Sequence, residues 1–208
     1  AMLNEINETS KGHILTVEDP IEFVHKTKKC LVNQREVGPH TKSFASALKA
    51  ALREDPDYIL VGEMRDLETI QLALTAAETG HMVFGTLHTS SAPKTVDRII
   101  DVFPPAQQAQ VRAMLSESLE AVVTQTLCKK TGGGRVAALE IMVGTTAVRN
   151  LIREGKIHQI PSVMQTSKGV GMQTLEAALL ELVANGSITR ETAIEKSGNP
   201  NIFSEDKY

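Results

Sequence analysis

Short apolar runs alternate with amphipathic segments through the first ninety residues of the chain. The runs at residues 14–17, 58–61 and within 81–89 each end in polar side chains. Short apolar runs bounded by turn-forming residues are typical of strands buried on both faces. Between the last two runs, residues 66–80 place apolar side chains at helical spacing. A strand, helix, strand order of this kind predicts parallel strands joined by right-handed crossovers, and therefore an α/β fold.

The remaining pattern predicts further elements on either side of these strands. A helix within residues 1–9, a weaker strand at 29–37 and a helix from Ser43 to about residue 53 complete the first part. After residue 93 the pattern becomes mainly helical, with one long amphipathic helix whose apolar face extends to Val122. Two strands flank a glycine-rich turn, and helices close the chain. Their predicted bounds are 126–129 and 136–143 for the strands, and about 145–155, 158–166, 174–185 and 189–196 for the helices.

Composition narrows the class of protein. The chain has 208 residues, 41% hydrophobic content and a net charge of −3, which suits one domain or one domain with a small helical appendage. No apolar run approaches the roughly 20 residues of a membrane span, and no signal peptide is expected. Cys30 and Cys128 are expected to be reduced thiols. Mild acidity, 3% aromatic residues and no Trp disfavour nucleic-acid binding.

Polar side chains cluster where three of the predicted strands end. Glu18, Asp19 and Glu22 follow the first, Glu63 follows the second, and His88 with Thr89 follows the third. Ligands of an open parallel sheet gather beyond the carboxyl ends of its strands. If the strands are parallel, these side chains therefore lie at one edge of the sheet.

Three functional interpretations of this arrangement can be compared. A metal hydrolase is disfavoured because His81 and His88, seven positions apart on one predicted strand, would lie about 20 Å apart on opposite faces. Phosphoryl transfer to water fits the acids, which could orient water and hold Mg²⁺ through water. However, the phosphate-binding pattern Gly-x-x-x-x-Gly-Lys-[Ser/Thr] is absent from the sequence. The third possibility is a non-catalytic α/β core with a helical cap that contacts other proteins.

Four segments resemble motifs of the secretion and type IV pilus ATPases. Residues 14–23 resemble the Asp box, 59–66 the Walker B motif and 79–89 the His box of that family. Residues 147–154, Ala-Val-Arg-Asn-Leu-Ile-Arg-Glu, are similar to a segment typical of the retraction ATPases of twitching motility. The resemblance runs in order from residue 1 to about 196.

The resemblance implies a RecA-like P-loop ATPase core, with a mainly parallel sheet flanked by helices. Residues 1–144 would form this core without its PAS-like domain and Walker A loop, 145–198 a helical carboxy-terminal subdomain, and 199–208 a loose tail. The implied function is that of the carboxy-terminal part of a hexameric motor that couples ATP hydrolysis to pilus retraction. The chain alone is expected to be inactive. The alternative is a non-catalytic fragment that binds partners or poisons a ring.

The resemblance also implies roles at the strand ends. Glu63 would polarise the attacking water, Glu22 would assist it at the Mg²⁺ and water site, and His88 would sense the γ-phosphate. Glu22 and Glu63 would hold Mg²⁺ through water. Glu18 and Asp19 would shape this site, and His81 would link the His box to its neighbours. Arg65 and Arg98 would couple charge across subunits.

ATP and Mg²⁺ are the implied cofactors of the intact protein. The implied partners are further copies of the chain and platform proteins of the inner membrane, at the cytoplasmic base of a bacterial pilus machine. The protein would be peripheral to the membrane and would bind no nucleic acid. Assembly ATPases of the family usually carry a tetracysteine metal module, which two distant cysteines cannot supply. This difference favours retraction over assembly.

The segment at 147–154 predicts an amphipathic helix. The apolar residues Ala147, Val148, Leu151 and Ile152 form one stripe, and the polar residues Arg149, Asn150, Arg153 and Glu154 lie off it. Periodicity alone predicts an ordinary surface helix with a solvated polar face. The resemblance implies a functional element of retraction, in which substitution of either arginine spares folding and ATPase activity and abolishes retraction.

Overall fold

The computed structural model describes residues 1–199 and 201–203, which divide into two compact units. The first unit comprises Ala1–His88 with Val102–Pro104. The second comprises Thr89–Asp101 and the residues from Pro105 onward. The predicted domain boundary at residue 144 does not coincide with this division into units, and it stays a prediction.

Four parallel strands in the order β2-β1-β3-β4 form the sheet of the first unit. This arrangement confirms the predicted α/β class. Val17 of β1 pairs with Val61 of β3, and Val61 pairs with Gly85 of β4, so these three strands end at one level. The elements of this unit are α1 (Met2–Thr9), β1 (Gly12–Glu18), β2 (Cys30–Glu36), α2 (Phe44–Ala51), β3 (Tyr58–Val61), α3 (Leu67–Glu78) and β4 (Met82–Gly85).

Helices cover both faces of this sheet. Leu15 and Val17 of β1 are fully buried against α2, while Ile14 faces the other way and packs with Leu3 of α1. Burial of such a side chain contributes about 1.5–3 kcal/mol, so β1 is a major source of stability. The near-continuous apolar runs noted in the sequence follow from this burial on both faces.

Side-chain caps fix where α2 and α3 begin. Ser43 accepts a hydrogen bond from the Ser46 amide, and Asp66 accepts one of 2.9 Å from the Thr69 amide. Each cap satisfies an amide that has no partner within its own helix. Gly80, at φ +100°, takes the left-handed conformation after α3 that favours glycine. Both predicted starts and the predicted end are confirmed.

The second unit combines helices with an antiparallel hairpin. Its strands are joined along their whole length, from Ala121 opposite Val143 to Lys129 opposite Arg135. Two short 3₁₀ turns, Ile157–Gln159 and Lys168–Val170, connect its later helices. The elements are α4 (Ala92–Asp101), α5 (Pro105–Ser118), β5 (Ala121–Lys129), β6 (Arg135–Val143), α6 (Thr146–Arg153), α7 (Ile160–Thr166), α8 (Leu175–Ala184) and α9 (Arg190–Ser197).

Two expectations for this unit are wrong. The long helix does not reach Val122, because α5 ends at Ser118 and Val122 pairs with Met142 in the hairpin. The β-branched residues 122–124 favour the strand over one more helical turn. The tail is not loose at residues 201–203, where Ile202 is buried with Cys128 and Leu179. Residue 200 and residues 204–208 of the predicted tail lie outside the described residues.

Over residues 1–199 and 201–203, no helix has both the length and the apolar character needed to cross a membrane.

Candidate functional site

The level strand ends of the first unit bring Glu63 next to His88. The chain after β3 stays tied to both neighbouring strands, because the Gly62 amide donates to Val17 O at 2.7 Å and the Met64 amide to Thr86 O at 3.0 Å. Glu63 is therefore held between β1 and the end of β4. A Cβ at Gly62 would lie 2.9 Å from Val17 O. This close approach to a backbone atom favours glycine at position 62.

Glu63 forms the centre of a small charged cluster. Its Oε1 atom is 2.8 Å from His88 Nε2 and also contacts Arg65 Nε. The Glu63 side chain is only 16% exposed, whereas those of Arg65 and His88 are 76% and 84% exposed. Two side-chain nitrogens thus converge on this one buried carboxylate oxygen. A carboxylate has two oxygens with about four acceptor positions, so Glu63 can also accept a hydrogen bond from a water molecule.

The neighbouring charges keep Glu63 ionised. The Arg65 guanidinium lowers the pKa of Glu63, partial burial opposes this effect, and His88 lowers the pKa further. Reciprocally, Glu63 raises the pKa of Arg65, to which the charge of Asp19 also contributes. A carboxylate that is ionised at neutral pH can orient water or accept its proton.

The structure places the acids of the Asp box differently from one another. Glu18 ends β1, and its Oε1 accepts hydrogen bonds from Thr16 Oγ1 at 2.6 Å and Gln34 Nε2 at 2.9 Å. Asp19 is exposed, and its negative charge contributes to the raised pKa of Arg65. Glu22 is exposed and makes no hydrogen bond or ion pair with any described residue. Arg65 and His88 thus contact Glu63, the charge of Asp19 acts on Arg65, and Glu22 makes no hydrogen bond or ion pair with this cluster.

His81 lies at the other end of β4 from His88. Its Nδ1 atom is 3.0 Å from Ala76 O and 3.2 Å from Thr79 Oγ1, where α3 ends. The assumption that both histidines belong to one strand is wrong, since β4 ends at Gly85 and His88 follows it. Among the described residues, no group of three or more His, Cys, Asp or Glu side chains could hold a metal ion. Arg98 is exposed on α4, in the second unit.

Several residues that contact the Asp box have no motif that marks them. Gln34 and Glu36 of β2 hydrogen-bond to the loop after β1, and Asn7 of α1 does so farther along that loop. Their function depends on the register of neighbouring strands, which sequence spacing alone does not show. The sequence offered one indication of such a contact, namely a polar residue, Gln34, on a strand with a weak hydrophobic pattern.

In the second unit, the 147–154 segment forms most of α6. Val148 and Ile152 are buried, Leu151 is half-buried and Ala147 is exposed, so the apolar stripe is narrower than predicted. Arg149 turns back toward the end of α5. It donates to the carbonyl oxygens of Gly144 (2.6 Å), Ser116 (3.1 Å) and Glu117, and pairs with Glu120 at 2.8 Å. Arg153 is exposed, and within the described part of the chain its one hydrogen bond is to Ser116 Oγ, at 3.5 Å.

These contacts predict different effects for the two arginines of α6. Arg149→Ala should lower the free energy of unfolding of this chain by about 2 kcal/mol, because carbonyls at the end of α5 lose a charged donor. Arg153→Ala is the matched control and should change it by less than about 0.5 kcal/mol. Urea denaturation followed by circular dichroism measures both. The expectation that both substitutions spare folding is therefore kept for Arg153 and replaced for Arg149. Equal urea midpoints for the two variants would contradict the structural role of Arg149.

The first unit is thus an α/β fold with a parallel sheet flanked by helices, and Glu63 and His88 lie beyond its strand ends. A family model described as "Type II/IV secretion system protein" matches residues 1–195. The chain belongs to this family.

Named relatives point to one branch of the family. The chain is 66% identical over 203 residues to "Type IV pilus retractation ATPase PilT" of Pseudomonas aeruginosa, covering 98% of this chain and 59% of that protein. It is 64% identical over 200 residues to "Twitching motility protein" of Neisseria gonorrhoeae, covering 96% of this chain and 54% of that protein.

A solved structure agrees with this placement. "Crystal Structure of the Pilus Retraction Motor PilT and Bound ADP" superimposes with a TM-score of 0.89 at 56% identity, covering 96% of this chain and 57% of that chain. The chain thus spans little more than half the length of the proteins that it matches.

Proposed function

We propose that this chain is part of a motor ATPase that couples ATP hydrolysis to the retraction of type IV pili. The position of the Glu63 carboxylate, mostly buried beyond the strand ends and in contact with Arg65 and His88, carries the hydrolytic half of the proposal. The 66% identity to a pilus retraction ATPase supports the other half.

The residues of the first unit suit hydrolysis of a nucleotide with Mg²⁺. Carboxylate oxygens are hard ligands that fit Mg²⁺ and its bound waters, and Mg²⁺ neutralises charge on the transferred phosphate. Glu63, kept ionised by Arg65, accepts a hydrogen bond from the attacking water and orients it. Glu18 and Asp19 fit the water shell of the metal, and Glu22 would join them there from the exposed loop after β1. His88 responds to the γ-phosphate through its contact with Glu63.

The phosphate-binding loop has to come from outside these 208 residues, because the sequence has no Gly-x-x-x-x-Gly-Lys-[Ser/Thr]. We therefore define the extended protein as this chain preceded by the amino-terminal region of the Pseudomonas aeruginosa relative. We propose that the extended protein binds ATP and that this chain alone does not. A non-catalytic, partner-binding role is the second candidate, and the missing loop is the observation that favours it.

The proposed working form is a homo-oligomer, a hexamer by likeness to the family. It would act on platform proteins of the inner membrane from the cytoplasmic side. The polar face of α6 belongs to the retraction function in this proposal, with Asn150, Arg153 and Glu154 as its exposed polar residues. Arg98 on α4 is a candidate for charge coupling between subunits.

Complementation tests the proposed function in cells. The extended protein is expressed in a Pseudomonas aeruginosa strain that lacks its own pilus retraction ATPase, and twitching across a surface is measured. We expect the extended protein to restore twitching and its Glu63→Gln variant not to do so. No recovery by the extended protein, at an expression level matching the native enzyme, would rule out the retraction proposal.

A further inference from the structure

The loop between β1 and β2 carries Asp19 and Glu22, and side chains of the edge strand β2 hold it in place. Gln34 uses its whole amide for this purpose. Its Oε1 atom accepts from the His25 amide at 2.7 Å, and its Nε2 atom donates to Phe23 O and to Glu18 Oε1, each at 2.9 Å. Both donor hydrogens of the amide are therefore satisfied by acceptors of the Asp box.

The register of the sheet explains how Gln34 reaches these partners. Thr16 pairs with Gln34 and Glu18 pairs with Glu36 in the parallel ladder. Alternation along each strand places all four side chains on one face. Thr16, which is fully buried, donates to the same oxygen of Glu18 that Gln34 contacts. Two donors on Oε1 fix the Glu18 carboxylate and direct the other oxygen, Oε2, away from them.

The same strand fixes the backbone on both sides of Glu22. The amide of Ile21 donates to Glu36 Oε2 at 2.9 Å, and the carbonyl of Phe23 accepts from Gln34. The Glu22 side chain makes no hydrogen bond or ion pair with the described residues, so these flanking hydrogen bonds determine where its side chain begins. The far part of the loop has a separate anchor in Asn7, which is 1% exposed and hydrogen-bonds to Lys26 O and the Lys28 amide.

We propose that Gln34 is a positioning residue for ATP hydrolysis, which orients the Glu18 carboxylate and fixes the loop backbone that carries Glu22. The inference rests on the proposed function. Carboxylates that bind a metal through water bind it more favourably when they are already ordered. Their conformational entropy is then lost on folding and not when the substrate binds. An amide suits this position because it donates and accepts, whereas a carboxylate there would repel Glu18 and an apolar side chain would offer no hydrogen bond.

The first test measures local order in the 208-residue chain by amide hydrogen exchange. Gln34→Leu should speed exchange at the His25 amide about tenfold or more, because its acceptor is lost. Exchange at Lys28 should stay unchanged, since Asn7 remains. The matched control is Asn33→Ala on the same strand, an exposed side chain that makes no hydrogen bond with the described residues. Unchanged exchange at His25 in Gln34→Leu would overturn the inference.

The second test measures turnover by the extended protein. In Gln34→Leu, kcat should fall about tenfold or more and the Mg²⁺ concentration for half-maximal activity should rise, while KM for ATP changes less than about threefold. Gln34→Glu keeps an acceptor for His25, yet its charge opposes Glu18. Its kcat should therefore fall as far, although protection at His25 is partly retained. A purely structural residue would alter the melting temperature without changing the Mg²⁺ requirement.

Parallel measurement of Glu63→Gln separates the two possible failures. Wild-type kcat and Mg²⁺ dependence in Gln34→Leu, beside lost turnover in Glu63→Gln, would overturn the positioning role alone. Wild-type turnover in both variants would overturn the hydrolytic part of the proposed function as well.

Discussion

Glu63→Gln should lower ATP turnover by the extended protein by about three orders of magnitude, which corresponds to about 4 kcal/mol of activation free energy. The amide retains the shape of the side chain and one acceptor oxygen. It loses the negative charge that Arg65 and His88 contact and that orients water. Nucleotide binding should persist, because the phosphate-binding loop is elsewhere. Steady-state phosphate release, measured beside equilibrium binding of a fluorescent ATP analogue, separates these effects.

Glu68→Gln is the matched control for this prediction. Glu68 is an exposed acid near the start of α3 that pairs with Lys49. Exposed pairs contribute little to stability, so this variant should keep turnover within about twofold of the unsubstituted protein. If Glu63→Gln also kept turnover within about tenfold, Glu63 would not be the residue that activates water.

Gly144→Ala should destabilise the second unit by about 4 kcal/mol, a large fraction of the roughly 5–15 kcal/mol that stabilises an ordinary domain. An added Cβ would lie 2.1 Å from Leu119 O and 3.1 Å from Glu120 O. Both are backbone atoms and cannot rotate away, so the chain itself would have to move. That movement would break the hydrogen bond from the Gly144 amide to Glu120 O, at 2.7 Å, and the one that Gly144 O accepts from Arg149. Differential scanning calorimetry of this chain measures the loss.

Gly169→Ala provides the comparison for Gly144. Nothing lies within 4 Å of a Cβ added at Gly169, and its backbone is outside the left-handed region. We expect a change of less than about 0.5 kcal/mol there. A melting temperature for Gly144→Ala within about two degrees of the unsubstituted chain would show that the junction of α5, β5 and α6 is not tightly packed.

The strands of the first unit could be predicted because their burial pattern is strong. Ile59 and Val61 of β3 are both fully buried, so an apolar run bounded by turn residues marked the strand correctly. The start of β5 could not be predicted in this way. Leu115 and Val122 lie seven positions apart and fit a helical face, and only pairing with Met142 shows that the latter is in a strand.

Long polar side chains were the second limit of the sequence reasoning. Periodicity gives the direction in which a side chain leaves its helix, but it does not give the reach of that side chain. Arg149 leaves α6 off the apolar stripe, and still its guanidinium extends to the carbonyls at the end of α5. Gln34 illustrates the same limit on a strand, because its partners Glu18 and His25 become neighbours only through parallel pairing.

The measurement that tests the central claim most directly is Mg²⁺-dependent ATP binding and hydrolysis by the 208-residue chain beside the extended protein. Isothermal titration measures binding, and phosphate release measures turnover. We predict that only the extended protein binds and hydrolyses ATP, so that this chain supplies the water-activating acids and the preceding region supplies the phosphate-binding loop. ATP binding by the short chain with similar affinity would contradict this division, because a phosphate site would then exist within the 208 residues.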